Sequence, residues 1–105
     1  MSVTDKIDMD ALRLAAGLEG LRFEEASLTI APIDWASPQA ARIVREARRT
    51  KGRLASREGR KGVVQVQMTL RHRGSKVRHV SLLAPGEEAT VGAALGRTAR
   101  ELLAA

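Results

Sequence analysis

The stretch that decides the fold is residues 63–71, Val-Val-Gln-Val-Gln-Met-Thr-Leu-Arg. Val, Val, Met and Leu stand at the even positions, with Gln, Gln and Thr between them. Because successive side chains of a β-strand point to opposite faces, this alternation predicts a strand with one apolar and one polar face. Residues 73–75, Arg-Gly-Ser, have turn chemistry, and residues 76–83 return as a second extended run. We therefore predict a β-hairpin in the second half of the chain.

Working outward from the hairpin, apolar residues at helical spacing predict three helices. The first covers about 8–19, with an aspartate at its start and Gly20 as the residue that ends it. Ser37, a capping hydroxyl followed by proline, predicts a second helix from 38 to about 50 or 55. Thr90 is expected to cap the last helix, which runs to the end of the chain.

The remaining segments are predicted to be extended or irregular. Residues 21–30 alternate between apolar and polar, but the phase slips at 24–27, which indicates one strand with a bulge or two short strands. Residues 56–62 are predicted to form a loop. The order α-β-α-β-β-α predicts an α+β domain with a small, mostly antiparallel sheet and helices packed on one face. We expect one domain over 1–105, in which residues 1–6 are disordered.

Composition limits the chemistry that the chain can perform. The 105 residues contain no cysteine, which excludes disulfides, thiol catalysis and cysteine-ligated metals. Phe23 and Trp35 are the only aromatic residues, so the core must be aliphatic. The N-terminus lacks the pattern of a signal peptide, and no apolar run approaches the length of a membrane span. These features predict a cytoplasmic protein without membrane contact or cofactor.

The positive charge is concentrated in the middle of the chain. The formal net charge is +6, yet residues 42–79 hold 13 basic and two acidic residues, and the segments on either side are net negative. Such asymmetry predicts a surface for a polyanion, and arginine side chains match phosphate oxygens in geometry. The candidate residues form a helix stripe, a loop and a hairpin end: Arg42, Arg45, Arg49, Arg53; Arg57, Arg60, Lys61; Arg71, Arg73, Lys76, Arg78.

Three functions are compatible with this charge pattern. The first is a non-catalytic nucleic-acid-binding protein, whose scarcity of aromatic residues favours duplex DNA or structured RNA over single strands. The second is a small adaptor or inhibitor, of the phage or plasmid type, that docks its basic surface on an acidic protein. The third is a small metal-dependent nuclease using Asp34, Glu46 and Glu58. We predict a binding protein without catalytic or metal-ligating residues, and its acidic first third could support a homodimer.

Other motifs have less specific interpretations. Residues 59–62, Gly-Arg-Lys-Gly, are similar to the G-x-x-G loop of KH domains, which implies contact with a nucleic-acid backbone. That loop joins two helices, whereas a strand follows here, so we interpret the segment as a turn. His72 and His79 flank the hairpin turn and are expected to face each other across it. Gly92 and Gly96 are expected to allow close packing of the last helix.

Overall fold

A computed structural model describes residues 7–46 and 57–105. Within these ranges the chain is a mixed α+β domain in which helices accompany a three-stranded antiparallel sheet. The predicted continuation of the second helix beyond residue 46 lies outside the described residues. The elements are α1 (Met9–Ala16), a 3-10 turn (Leu18–Gly20), β1 (Glu25–Pro32), α2 (Pro38–Glu46), α3 (Arg57–Arg60), β2 (Val64–His72), β3 (Ser75–Leu83) and α4 (Glu88–Ala104).

Strand β2 is the centre of the sheet, with β1 and β3 paired antiparallel on either side of it. Its even-numbered residues from Val64 to Leu70 are buried, and its odd-numbered residues are partly or fully exposed, as the alternation of the sequence predicts. The hairpin between β2 and β3 is also confirmed, and its turn is Arg73-Gly74. Both turn residues have positive φ, 52° and 78°, which is the backbone of a type I′ turn.

The core lies between the sheet and a layer formed by α1 and α4. Two glycines of α4 face α1 so closely that a side chain has no room. A Cβ at Gly92 would lie 2.6 Å from the Leu12 carbonyl oxygen, and one at Gly96 would overlap the Ala16 carbonyl oxygen. The expectation that these glycines allow close packing is therefore confirmed. The fully buried larger side chains are Leu12, Val64, Val66, Met68, Leu70, Leu83 and Leu95.

The helix ends follow the predicted capping chemistry in part. The Asp8 carboxylate accepts from the Ala11 backbone N–H (3.0 Å) at the start of α1, and the Ser37 hydroxyl accepts from the Ala40 N–H (3.2 Å) at the start of α2. The residue that ends α1 is Gly17, at φ 63°, and not the predicted Gly20. Gly17 adopts the left-handed conformation first, so Gly20 falls in the 3-10 turn that follows.

The last helix begins two residues before the predicted cap, Thr90. Its first residue, Glu88, accepts hydrogen bonds through its side chain from the backbone N–H groups of Gly86 (2.6 Å) and Asp8 (3.2 Å). The start of α4 is thus bound to the start of α1, a contact between residues 80 positions apart. A local sequence pattern contains no information about such a contact, which explains the error.

Two further predictions of local structure were wrong. Residues 21–24 do not form a strand, because the N–H groups of Leu21 and Phe23 donate to nearby carbonyls, those of Leu18 and Leu21. The strand begins only at Glu25 and then pairs with β2 in one unbroken register, without the predicted bulge. Residues 57–60, within the predicted loop, form the short helix α3.

Candidate nucleic-acid interface

The register of the sheet separates two faces of different chemistry. Residues directly opposite each other in an antiparallel pair lie on the same face. The buried even-numbered residues of β2 face α1 and α4, so the odd-numbered residues and their partners lie on the other side. We call this side the polar face, although it also includes alanine, valine and leucine side chains. It comprises Glu25, Ser27, Thr29, Ala31, Gln65, Gln67, Thr69, Arg71, Lys76, Arg78, Val80 and Leu82.

Three of the predicted cations lie together on the polar face near the hairpin turn. Arg71 is directly opposite Lys76, and Arg78 is opposite Thr69, one pair further along. Neighbouring strands are about 4.8 Å apart and alternate residues along a strand about 6.7 Å apart, so the three side chains start from adjacent positions. All three are exposed, and we call them the hairpin cations. The sequence predicted these residues but could not establish that they share a face.

Two carboxylates also lie at this end of the sheet. Glu25 is the register partner of Arg71, and its carboxylate lies 3.8 Å from the Arg71 Nε. The Glu24 carboxylate accepts from the backbone N–H of Gly74 in the turn (3.1 Å). Charge that is segregated along the sequence is therefore mixed in space. Lys76 and Arg78 nevertheless have no ion pair with any residue that the structure describes.

The other end of the polar face is apolar. Val63 and Ala84 are buried there in a small cluster, against which Ile33, Trp35 and Leu82 pack. The guanidinium of Arg60 lies over the Trp35 ring, 5.3 Å from its centroid. The Gln65–Leu82 pair, where this end begins, is six residues along the strand from the Arg71–Lys76 pair, or roughly 20 Å. Arg60 and the hairpin cations therefore lie at opposite ends of the sheet.

The remaining predicted residues are distributed over other elements. Arg42 and Arg45 are exposed on α2, and Arg57 is the first residue of α3. Lys61 follows α3, and its ammonium is 3.0 Å from the Glu58 carboxylate. Arg49 and Arg53 lie outside the described residues. The structure thus brings together the hairpin part of the predicted surface.

The turn residue Arg73 has an unusual backbone conformation. It is the only non-glycine residue with positive φ (52°) among the residues that the structure describes. A left-handed backbone costs a typical L-residue roughly 1 kcal/mol, and type I′ turns favour Asn or Gly at this position. Arginine at position 73 therefore lowers the stability of the turn relative to asparagine or glycine. It adds a fourth cation at the tip of the hairpin.

The two histidines do not face each other as expected. The register places His72 opposite Ser75 and His79 opposite Met68. Both are on the face opposite the hairpin cations, where His72 meets the Phe23 ring edge-on, with 5.9 Å between centroids. In the described part of the chain, no group of three or more His, Asp or Glu side chains is placed to hold a metal ion.

No helix within residues 7–46 and 57–105 has the length and apolar character needed to cross a membrane. No protein-family model, curated protein or solved structure shows a significant match to this chain.

Proposed function

We propose that this protein is a non-catalytic nucleic-acid-binding protein that grips phosphates with the hairpin end of its polar face. The observation that carries the proposal is the register, which places Arg71, Lys76 and Arg78 on one exposed face of the sheet. Lys76 and Arg78 form no ion pair with a described residue. Unpaired cations at adjacent positions are suited to successive phosphates of a nucleic-acid backbone.

The position of the apolar residues supports a nucleic acid over an acidic protein. Protein interfaces have a core of aromatic and aliphatic side chains inside a polar rim. On the polar face the apolar cluster around Val63 lies at one end. Apart from Glu25 beside Arg71, the residues next to the hairpin cations are threonine, serine and glutamine. Val80 is the exception, at 45% exposure. A surface with cations at one end and hydrogen-bonding groups at its centre resembles a phosphate-binding surface more closely than a protein interface.

The exposed arginines of α2 and the Arg60 side chain extend the proposed contact area beyond the hairpin. We include Arg42, Arg45, Arg49, Arg53, Arg57, Arg60 and Lys61 in the proposed interface as secondary contacts, on the strength of their charge. We also propose that all helices lie on the side of the sheet opposite the polar face or beside it, which leaves that face accessible. The cytoplasm is the proposed compartment, since the chain has no cysteine and so does not depend on an oxidising compartment for disulfide bonds.

The test is fluorescence-anisotropy binding to labelled duplex DNA, single-stranded DNA, duplex RNA and hairpin RNA, over a salt series of about 50 to 300 mM. We expect binding that weakens linearly in a plot of log affinity against log salt. The double variant K76A/R78A should lower the magnitude of that slope by about two, because each lost phosphate contact removes roughly one released counterion.

The matched control is R97A/R100A, which removes the same charge from exposed positions on α4, in the helix layer behind the sheet. Its slope should equal that of the wild type. An equal loss in both double variants would mean that net charge, and not the hairpin, determines binding. No binding to any nucleic acid at the lowest salt would reject the proposal and favour an acidic protein partner.

A further inference from the structure

We infer that the ligand is double-stranded B-form DNA and that the β2–β3 part of the polar face lies in its major groove, where Gln67 contacts base edges. This inference rests on the proposed function and adds the type of duplex, the groove and a residue for sequence readout. The residues between the hairpin cations and the apolar end include Gln67 and Thr69, which are adjacent on the polar side of the central strand.

The dimensions of the sheet match the groove. The major groove of B-DNA is about 12 Å wide, and the outer strands of this three-stranded sheet are roughly 9.6 Å apart, at about 4.8 Å between neighbouring strands. Side chains on one face of a strand recur about every 6.7 Å, which is close to two base-pair steps of about 3.4 Å. The roughly 20 Å between the hairpin cations and the Trp35 end corresponds to about six steps. To the extent that the strand runs along the duplex axis, Gln67 and Thr69 are presented to base pairs up to two steps apart.

The chemistry of these side chains suits base recognition. Gln67 is half-buried, and its amide makes no hydrogen bond with any residue that the structure describes. A glutamine amide can donate to N7 and accept from N6 of adenine, and a threonine methyl can contact the methyl group of thymine. Gln65 differs, because its amide already donates a hydrogen bond to the Pro32 carbonyl oxygen, at a distance of 3.5 Å. We therefore assign base recognition to Gln67, and Gln65 is the matched control residue.

Other nucleic acids fit this face less well. The major groove of A-form RNA is too deep and narrow for side chains to read. Unpaired bases need aromatic platforms, and neither aromatic residue provides one. Phe23 contacts His72 on the opposite side of the sheet, and Trp35 already stacks against Arg60. Duplex DNA is the ligand that needs no aromatic platform and displays readable base edges to a ribbon.

The experiment selects bound sequences from a random-sequence duplex DNA library with the full chain, in parallel with the Q67A and Q65A variants. Binding of each variant to a mixed-sequence RNA duplex is measured alongside. The wild type should show a preference of roughly 5- to 150-fold at one or more base pairs, the discrimination that a bidentate contact gives. Q67A should lose that preference at one position and keep the salt slope of the wild type, whereas Q65A should keep both. The melting temperature of each variant shows whether it folds.

The outcomes separate the two proposals. If the wild type binds DNA and RNA duplexes equally and selects no sequence, the groove inference is wrong and phosphate binding stands. If Q67A retains the full sequence preference, Gln67 is not the reader. If Q67A instead changes the salt slope, the residue contacts the backbone, which also overturns the inference. If the chain binds no nucleic acid at any salt concentration, the proposed function itself fails.

Discussion

Replacing Gly96 by alanine tests the closest contact in the fold. The α1 and α4 helices approach each other at Gly92 and Gly96, and the added methyl group would overlap the Ala16 carbonyl oxygen. Since the obstacle is backbone, no rotamer change can remove it, and the helices must move apart. The control is Gly20→Ala, because a Cβ at Gly20 has no neighbour within 4 Å and the residue has no positive φ.

Two effects determine the size of the change. Alanine is favoured over glycine inside a helix by about 1 kcal/mol, and overpacking a tight site costs about 1 to 3 kcal/mol. A clash with backbone belongs at the upper end, so the net loss of unfolding free energy should be about 2 kcal/mol. For a domain of this size that corresponds to roughly 8–10 °C in Tm. Gly20→Ala should stay within about 0.5 kcal/mol.

Circular dichroism followed through a urea titration and a thermal scan measures both variants under the same conditions. If Gly96→Ala is as stable as the wild type, the two helices do not approach as closely as described. If Gly20→Ala loses as much stability as Gly96→Ala, the effect comes from glycine in general and not from the helix contact.

Two further variants test the hairpin turn and a helix cap. Arg73→Asn should raise the unfolding free energy by about 0.5–1 kcal/mol, because asparagine tolerates the left-handed backbone that Arg73 adopts, and should lower the DNA salt slope by about one. An unchanged or lower stability in the urea titration would show that the Arg73 backbone is not strained. An unchanged salt slope would show that Arg73 does not contact the nucleic acid. Asp8→Ala should cost about 1 kcal/mol, since it removes the acceptor for the Ala11 N–H at the start of α1. Asp8→Ser should restore most of that loss in the same titration, and equal stability of Asp8→Ala and the wild type would show that the cap does not contribute.

The parts of the fold that were predicted correctly depend on short-range patterns. The alternation over 64–70 specifies a strand with one buried face. The turn residues that follow it predict that the chain reverses and pairs with this strand as a hairpin. The cap at Ser37 depends on residues three positions apart. Such patterns are contained in a few consecutive residues, and the tertiary structure agrees with them.

The errors occur where distant residues determine local structure. Helix α4 begins at Glu88, whose side chain accepts a hydrogen bond from the backbone N–H of the distant Asp8. The strand β1 begins at Glu25, and the preceding Glu24 N–H donates to the Arg71 carbonyl (2.9 Å). In the candidate site the positions of the cations were predictable, but their shared face depends on the register of two strands. The proximity of Glu24 and Glu25 to the hairpin could not be predicted from their place in an acidic segment.

These two glutamates indicate how the hairpin end is organised. Carboxylates that served only to neutralise a basic patch would be expected beside the unpaired cations. Instead, the Glu24 carboxylate binds the Gly74 backbone N–H and that of Glu25 lies beside Arg71. The two contacts join β1 and the residue before it to the hairpin, while Lys76 and Arg78 keep no ion pair with a described residue. If the hairpin binds a phosphate backbone as proposed, a support fixed by these two contacts would lower the entropy lost on binding. The strained Arg73 backbone would then keep a cation at the tip at a cost to the stability of the turn.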